Sequence, residues 1–286
     1  MHFIPSSADA DRLAAYAQLM KVCFPGADKF DLAYLQWLYA ANPDGHVMGY
    51  DAFEGDELAA HYACIPAMAL VEGAQVKVML SLNTATHPKF QGKGLFTKLA
   101  ERTYEAGHAA GFDAVYGVAN ANSTPGFVRK LGFQLVTPLE ARIGVGGLLS
   151  RRDSQDMNSS FRRMRSAQAV QWRCSNPHNA VRVRTDHGVT QCFASARGNM
   201  IAAYHEFDAD EFSGAQAEHV TRSGPPLVRL FLGLVPATRR ISSTYVRIPD
   251  RLRPSPLNLI YRPLSGRVAA IEKDRVAFSF LDFDAY

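Results

Sequence analysis

Two glycines between a strand and a helix constrain the fold of this chain more than any other feature. The stretch from His87 to Leu99 reads HPKFQGKGLFTKL, and from Leu95 onward apolar residues recur at helical spacing. A helix that begins in this way leaves its first backbone N–H groups unpaired, at the positive end of the helix dipole. Glycines at 92 and 94 let that backbone come close to a ligand. We therefore predict a phosphate-binding loop.

The spacing of these glycines argues against two familiar kinds of phosphate loop. The loop lacks the Gly-Lys-Ser/Thr ending of a nucleotide P-loop, and it does not fit Gly-x-Gly-x-x-Gly. A kinase or a dinucleotide-dependent enzyme is disfavoured on this ground. A plain glycine turn that leads into a helix is the alternative interpretation.

The pattern of apolar and turn residues around the loop predicts a mixed α+β fold. Gly55-Asp56 and Gly73-Ala74 separate three strand-like segments, as antiparallel hairpins require. The predicted helices cover 9–24, 31–41, 94–110 and 124–131. Pro25-Gly26 ends the first helix, and Asp31 is the expected N-cap of the second. The predicted strands cover 47–54, 58–72, 75–86, 113–119 and 133–143.

A glycine-rich segment at 144–150, followed by Arg and Ser residues to 165, predicts a domain boundary. We expect domains at 1–145 and 146–286. Gln36-Trp37 and Asn42-Pro43 are echoed by Gln171-Trp172 and Asn176-Pro177, which favours a duplicated domain. The turns Glu54-Gly55-Asp56 and Arg197-Gly198-Asn199 extend this echo. The second half contains nothing like the glycine loop, so as a repeat it has lost that site.

The loop and its flanks resemble the GNAT superfamily of N-acetyltransferases. The superfamily signature, Arg/Gln-x-x-Gly-x-Gly/Ala, reads Gln91-Gly92-Lys93-Gly94-Leu95-Phe96 here, with Phe96 in place of the final small residue. A second family element is a short helix that ends in Lys130-Leu131-Gly132-Phe133. Before it, Asn120-Ala121-Asn122-Ser123 stands where the family often has an asparagine that touches pantetheine. The resemblance implies a GNAT-like acyltransferase fold, in two tandem GNAT-like domains of which the second is degenerate.

This resemblance implies that acyl-CoA is the co-substrate and assigns residues to it. The pyrophosphate would be held by the backbone amides of Gln91, Gly92, Lys93, Gly94, Leu95 and Phe96. Pantetheine and the thioester would meet the strand end at Asn83, Thr84, Ala85 and Thr86, which splays from its neighbour. Asn120, Asn122 and Phe127 complete the expected cofactor-binding set. No metal is expected.

The residues that transfer protons are less defined. Many family members have a tyrosine as general acid four residues before the glycine of Lys-Leu-Gly-Phe, but here that position is Val128. Tyr116 and Ser123 are the alternatives nearest in sequence. As general base we name His61, in the strand that borders the acceptor cleft of this fold. A structural histidine is the alternative interpretation, and His87 is expected in a turn.

The acceptor is predicted from the loop sequence and from arginines of the second half. Gln-x-Lys-Gly-Leu-Phe-Thr-Lys-Leu is similar to bacterial N-acyltransferases that act on nucleotide-linked amino sugars in the synthesis of surface polysaccharides. Guanidinium groups suit an anionic acceptor, although a solvated basic face is the alternative for each of them. The arginines concerned are Arg151, Arg152, Arg162, Arg163, Arg165, Arg173, Arg182 and Arg184. His205 and Glu206 are further second-half candidates for the acceptor cleft, if the two domains pack face to face.

Other functions stay open at this point. The acceptor could be an aminoglycoside, a polyamine or a protein amine, and the acyl group could be acetyl or a larger group such as hydroxybutyryl. A non-catalytic acyl-CoA-binding protein is the third hypothesis. The net charge of +4 and the absence of a long apolar run predict a cytoplasmic protein that binds neither nucleic acid nor membrane.

Overall fold

A computed structural model describes residues 1–150, 159–198, 200–208, 221, 223–253 and 255–284. Arg151, Arg152 and Asn199 lie outside the described residues. The described α-helices are α1 (Ala10–Cys23), α2 (Leu32–Tyr39), α3 (Leu95–Ala109), α4 (Thr124–Leu131) and α5 (Ala167–Cys174). The first described strands are β1 (His2–Pro5), β2 (Met48–Glu54), β3 (Glu57–Val71), β4 (Ala74–Thr86), β5 (Ala114–Ala119), β6 (Gln134–Pro138), β7 (Glu140–Val145) and β8 (Phe161–Arg163). The later strands are β9 (Arg182–Asp186), β10 (Val189–Arg197), β11 (Ile201–Asp208), β12 (Val228–Gly233), β13 (Val246–Arg247), β14 (Asn258–Pro263) and β15 (Val276–Ala277).

The chain forms two compact units, and neither is continuous in sequence. The first unit comprises Met1–Met68, Val76–Leu135 and Ile260–Ala270, and the second comprises the rest. The sequence predicted a single crossing between domains near residue 145. The chain instead crosses between the units several times, because a stretch near its end returns to the first unit.

The first unit is built on a sheet with the strand order β1-β2-β3-β4-β5-β14-β6. β2 and β3 are antiparallel, with Met48 opposite Cys64, whereas β4 and β5 are parallel, with Val78 opposite Ala114. The predicted strands at 47–54, 58–72, 75–86 and 113–119 are thereby confirmed to within a residue or two. β1 pairs with β2 and was not predicted.

Local signals explain why the helices of this unit begin and end where they do. Asp31 caps α2, since its Oδ1 accepts a hydrogen bond from the Tyr34 N–H at 2.8 Å. Gly132 ends α4 in the left-handed conformation, at φ 66°, which a residue without a Cβ adopts without strain. The glycine of Lys-Leu-Gly-Phe therefore stops the helix, as predicted.

One predicted strand was wrong. The segment 133–143 forms two strands, β6 and β7, which belong to different sheets. Pro138 ends β6 because it has no N–H to donate to a neighbouring strand. The N–H of Leu139 donates to the carbonyl of Leu257 at 2.7 Å, and β7 then pairs with β12.

The second unit repeats the pairing pattern of the first. Its sheet has the order β13-β7-β12-β11-β10-β9, in which β9, β10 and β11 are antiparallel and β11 is parallel to β12. The strands β2, β3, β4 and β5 have the same succession. Before each set stands a helix with a buried tryptophan, Trp37 or Trp172. The mixed α+β architecture is confirmed, and the second unit repeats part of the strand succession of the first.

The two units differ in where the echoed glycine turn falls. Gly55 lies between the first and second strands of its set, whereas Gly198 lies between the second and third. Asn42 and Asn176, by contrast, make the same local hydrogen bond. The Oδ1 of each accepts it from the backbone N–H of the residue two positions later. Of the helices in the described part of the chain, none has the length and apolar character needed to cross a membrane.

Candidate active site

The glycine loop lies between a short 3-10 turn, Pro88–Phe90, and α3. Gly92 and Gly94 have φ values of 77° and 69°, in the left-handed region that favours glycine. A Cβ built on either glycine would meet no atom within 4 Å. The glycines are therefore required by the backbone conformation and not by packing, and the face of the loop is open to a ligand.

The first turn of α3 offers unpaired donors on this face. Gly94 is the N-cap and supplies no side chain, and the first helical hydrogen bond runs from the Lys98 N–H to the Gly94 carbonyl at 3.2 Å. The backbone N–H groups of residues 95–97 therefore have no intrahelical partner. No acidic residue lies in this turn, and the Lys93 ammonium lies 5.1 Å from the centre of the Phe90 ring. This arrangement suits the pyrophosphate of coenzyme A.

The departure from the signature at Phe96 is matched by a second glycine. The Phe96 ring packs edge-on against Phe127, with 5.2 Å between ring centres. A Cβ on Gly126 of α4 would lie 3.1 Å from an edge carbon of the Phe96 ring. Gly126 thus leaves room for the large side chain, and the loop keeps its conformation despite the missing small residue.

The end of β4 leaves its parallel neighbour, as the resemblance implied. Their pairing runs from Val78–Ala114 to Ser81–Gly117, but β4 continues to Thr86 and β5 to Ala119. Within β4, Asn83 has a φ of 46°, a left-handed conformation in the middle of a strand. The backbone of residues 83–86 is thereby turned out of the regular ladder, where it could bind pantetheine and the thioester.

The other predicted cofactor residues divide into exposed and buried groups. Asn120 forms the turn that precedes α4, since its Oδ1 accepts from the N–H groups of Asn122 and Ser123 at 3.0 Å. Asn120 and Asn122 are exposed, whereas Phe127 belongs to the core of the first unit. Phe127 therefore supports the loop through Phe96.

His61 is fully buried, between two polar side chains that the sequence analysis did not single out. Its Nδ1 lies 2.6 Å from Asp51 Oδ1, and its Nε2 lies 2.9 Å from the Tyr39 hydroxyl. The Tyr39 hydroxyl also accepts a hydrogen bond from Asn83 Nδ2 at 3.1 Å. His61 therefore reaches the end of β4 only through Tyr39. An aspartate within an otherwise apolar strand was the available signal for this network.

Asp51 accepts hydrogen bonds from several side chains of the first unit. It accepts from Ser6 Oγ at 2.9 Å, from the Tyr16 hydroxyl at 2.7 Å and from Arg12 at 2.9 Å, besides His61. Burial tends to raise the pKa of Asp51, but the bonds from His61, Tyr16 and Ser6 outweigh it and lower that pKa below 3.8. Burial raises the pKa of Tyr39 well above its usual value of 10.0. Asp51 is therefore a carboxylate and Tyr39 a neutral phenol near pH 7.

The candidates for proton donation differ in access. Val128 is half-buried and has no proton to donate. Tyr116 is fully buried, and Ser123 Oγ donates to Asn120 Oδ1 at 3.1 Å. His87 begins the 3-10 turn, where its Nδ1 accepts from the Lys89 N–H at 3.2 Å. His87 therefore lies in a turn, as the sequence predicted.

Candidates of the second half lie in the second unit. Glu206 is buried and accepts from the Tyr204 hydroxyl at 2.6 Å and from the Leu149 N–H at 2.9 Å. Burial, with Arg165 and Arg239 nearby, lowers the pKa of His205 well below 6.5. Among the arginines, Arg163 and Arg173 are buried and Arg162 is half-buried. Two others form ion pairs, Arg165 with Asp282 at 3.1 Å and Arg184 with Asp186. Arg182 is exposed.

Comparison with known proteins agrees with this geometry. Residues 5–136 match the family model described as "Acetyltransferase (GNAT) domain". A probable N-acyltransferase of Enterococcus faecalis V583, itself of unknown function, is similar in fold with a TM-score of 0.59. It is 10% identical, and the match covers 92% of this chain and 72% of that one. No curated protein matches the sequence.

Two further solved structures are similar at lower scores. A GCN5-related N-acetyltransferase from Anabaena variabilis has a TM-score of 0.49 at 10% identity, over 92% of this chain and 73% of its own. The GNAT-family N-acetyltransferase YhbS of Escherichia coli, solved in complex with CoA, has a TM-score of 0.37 at 18% identity, over 47% and 68%. The family model spans β4, the glycine loop and α3, so residues 5–136 match a GNAT acetyltransferase domain, and this match supports a CoA-dependent N-acyltransferase.

Proposed function

We propose that the enzyme transfers an acyl group from acyl-CoA to the amine of a nucleotide-linked amino sugar, in a pathway of surface polysaccharide synthesis. The observation that carries the acyl-CoA half is the open glycine loop next to the turned-out end of β4. The two lie in one continuous segment, 83–97, so a single CoA molecule can meet both. The loop amides bind its pyrophosphate, and the strand end binds pantetheine.

The reaction that this site supports is direct attack. The deprotonated amine attacks the thioester carbonyl, and the carbon–sulfur bond breaks as the amide forms. Backbone N–H groups of β4 beyond Ser81 stabilise the negative charge that develops on the carbonyl oxygen, and one such donor contributes about 3 kcal/mol. Because Val128 carries no proton, we propose that the leaving thiolate takes its proton from water. That His61 accepts the proton of the ammonium stays a prediction.

The acceptor half of the proposal is supported by charge. The protein has a net charge of +4, and among the arginines of its second unit Arg182 is exposed and Arg162 is half-buried. Guanidinium groups bind phosphate in a bidentate way and suit the diphosphate of a nucleotide sugar. A polyamine or an aminoglycoside is cationic and would call for carboxylates instead.

The four cysteines support a cytoplasmic location in this proposal. All four are free thiols, and burial raises the pKa of each, to about 12 for Cys64 and about 11 for Cys174. Free thiols of this kind persist in a reducing compartment.

Mass spectrometry of reaction mixtures tests the proposal. Acetyl-CoA or 3-hydroxybutyryl-CoA is combined with a panel of nucleotide-linked amino sugars and, separately, with aminoglycosides, polyamines and a lysine peptide. We expect the mass of one acyl group on a nucleotide sugar. Acylation of the cationic amines alone would contradict the proposed acceptor and leave the acyl-CoA half standing.

A further inference from the structure

Asn83 has an unusual backbone for a residue inside a strand. Among the described residues, the other non-glycine residues with positive φ are Glu72 and His187, and both lie in turns between strands. A left-handed conformation costs an ordinary L-residue about 1–2 kcal/mol, although asparagine tolerates it better than most. Beyond Ser81, β4 also lacks the pairing with β5 that holds it earlier. β3 lies on the other edge of β4, and the Asn83 side chain adds a hydrogen bond of its own to this part of the strand.

The Asn83 side chain connects the strand to the buried Asp51 by a chain of hydrogen bonds with one consistent direction. The carboxylate of Asp51 can only accept, so Nδ1 of His61 carries the proton of the 2.6 Å bond. The amide nitrogen of Asn83 can only donate, so the Tyr39 oxygen accepts there at 3.1 Å. An imidazole that is protonated only at Nδ1 then accepts the proton of the Tyr39 hydroxyl at Nε2, at 2.9 Å.

The far end of this chain is rigid. Tyr39, Asp51 and His61 are each 0% exposed. Asp51 is fixed by Ser6 from the segment after β1 and by Arg12 and Tyr16 of α1. The Tyr16 ring stacks on the His61 ring, with 4.0 Å between centres. The segment after β1 and helix α1 thus both hold a network that ends at the side chain of Asn83.

We propose that Asp51, His61 and Tyr39 are positioning residues that hold Asn83, and with it the backbone N–H groups of β4 that polarise the thioester. The inference rests on the proposed acyl-CoA site. In this proposal His61 acts through Tyr39 and Asn83, and this positioning role replaces the general-base role predicted for it from the sequence. The fourth member, Asn83, is an asparagine because it combines a tolerated left-handed backbone with an amide donor.

The kinetics of Tyr39→Phe test this role. The substitution keeps the ring and removes the hydroxyl that joins Asn83 to His61. We expect kcat to fall about 10- to 100-fold, because the backbone N–H groups of β4 lose their fixed orientation toward the thioester. KM for acyl-CoA should change less than about 3-fold. Asn83→Gly keeps the left-handed backbone without strain and removes only the amide, so it should reproduce this effect. A wild-type kcat in either variant would overturn the proposal.

A matched control is Tyr104→Phe. The Tyr104 hydroxyl is also buried, bonds to the Tyr62 hydroxyl at 2.5 Å and does not contact Asn83. We expect it to lose a similar amount of stability while kcat stays within about 2-fold of the wild type, since one buried hydrogen bond contributes about 1 kcal/mol. An equal loss of kcat in Tyr104→Phe would mean that any buried hydroxyl matters, and would overturn the proposal.

The pH profile separates positioning from proton transfer. In a positioning role, the pH dependence of kcat/KM has the same shape in Tyr39→Phe as in the wild type. Loss of the acidic limb in this variant would make His61 the general base through Tyr39 and would overturn the proposal.

Amide hydrogen exchange provides a readout that does not depend on turnover. In Tyr39→Phe, the amides of residues 83–86 should exchange faster than in the wild type and in Tyr104→Phe. If the wild type binds no acyl-CoA, the proposed function fails. The exchange pattern still tests whether the hydrogen-bond network holds the end of β4. Unchanged exchange at these amides would refute it.

Discussion

Gly94 combines a left-handed backbone with an open face above the first turn of α3. At φ 69° any side chain is strained, and the space around the missing Cβ is where the pyrophosphate would lie. Gly111, at the other end of α3, has a φ of 83° and equally open surroundings. Both glycines therefore need a left-handed backbone and have open surroundings, but Gly94 lies in the loop and Gly111 lies at the far end of the helix.

We expect Gly94→Glu to weaken acyl-CoA binding at least about 100-fold, or about 2.7 kcal/mol. The substitution places a side chain and a negative charge on the donors of the loop. Isothermal titration calorimetry measures the affinity, and Gly111→Glu serves as the control with the same backbone strain. If Gly94→Glu kept its affinity for acyl-CoA, the loop would not be part of the binding site.

The network around Asp51 gives a pH-dependent prediction. The folded-state pKa of Asp51 lies below its ordinary value of 3.8, so its ionised form stabilises the fold above that value and this contribution is lost as pH falls through the folded pKa. We expect Asp51→Asn to lower the free energy of unfolding by about 3–5 kcal/mol at pH 7. Urea unfolding at pH 7 and at the lowest pH where both proteins fold should show the difference shrinking below pH 3.8. A difference that stays constant with pH would contradict the assigned charge.

At the scale of elements, the helices and the central strands of the first unit follow from local chemistry that the sequence displays. Asp31 begins α2 and Gly132 ends α4, and both signals are visible in the sequence. β1 was missed because a strand of four residues carries too little pattern, and no strand was assigned at the position of β14. The fit between α3 and α4 was missed because Phe96 and Gly126 are distant in sequence, and only the fold brings them together.

The contact between these helices can be tested with Gly126→Leu. The new side chain meets the Phe96 ring, so we expect the free energy of unfolding to fall by about 1–3 kcal/mol. Phe96→Ala empties that space, and in the double variant the introduced leucine should fill part of it. A double-mutant cycle by urea unfolding should therefore give a favourable coupling of about 1 kcal/mol or more. Strict additivity would show that the two positions do not meet.

On the scale of the whole molecule, the two units share one order of pairing but are not two successive halves of the chain. The sequence displays the repeated tryptophan and asparagine, and these predict the duplication. It does not display that β14 lies between β5 and β6, because strand pairing depends on the partner surface and not on proximity along the chain. The predicted boundary at 145 therefore misses a strand that the first unit needs.

We expect residues 1–145 expressed alone to lack a stable fold. Leu259, Ile260 and Tyr261 of β14 are 0% exposed, and burial of each contributes about 1.5–3 kcal/mol. Circular dichroism and thermal unfolding measure the outcome, and adding a peptide of residues 256–270 should restore a cooperative transition. A cooperative transition of 1–145 without the peptide would show that β14 is dispensable.

The position of β14 also sets when the enzyme can be completed during its synthesis. The loop, α3 and β4 leave the ribosome early, but the sheet that carries them lacks an inner strand until residue 263 has been made. Until then β5 and β6 present unpaired edges, which other chains can join. The sheet that carries the acyl-CoA site is therefore completed only after β14 has been made, and until then the nascent chain exposes strand edges of the kind that chaperones shield.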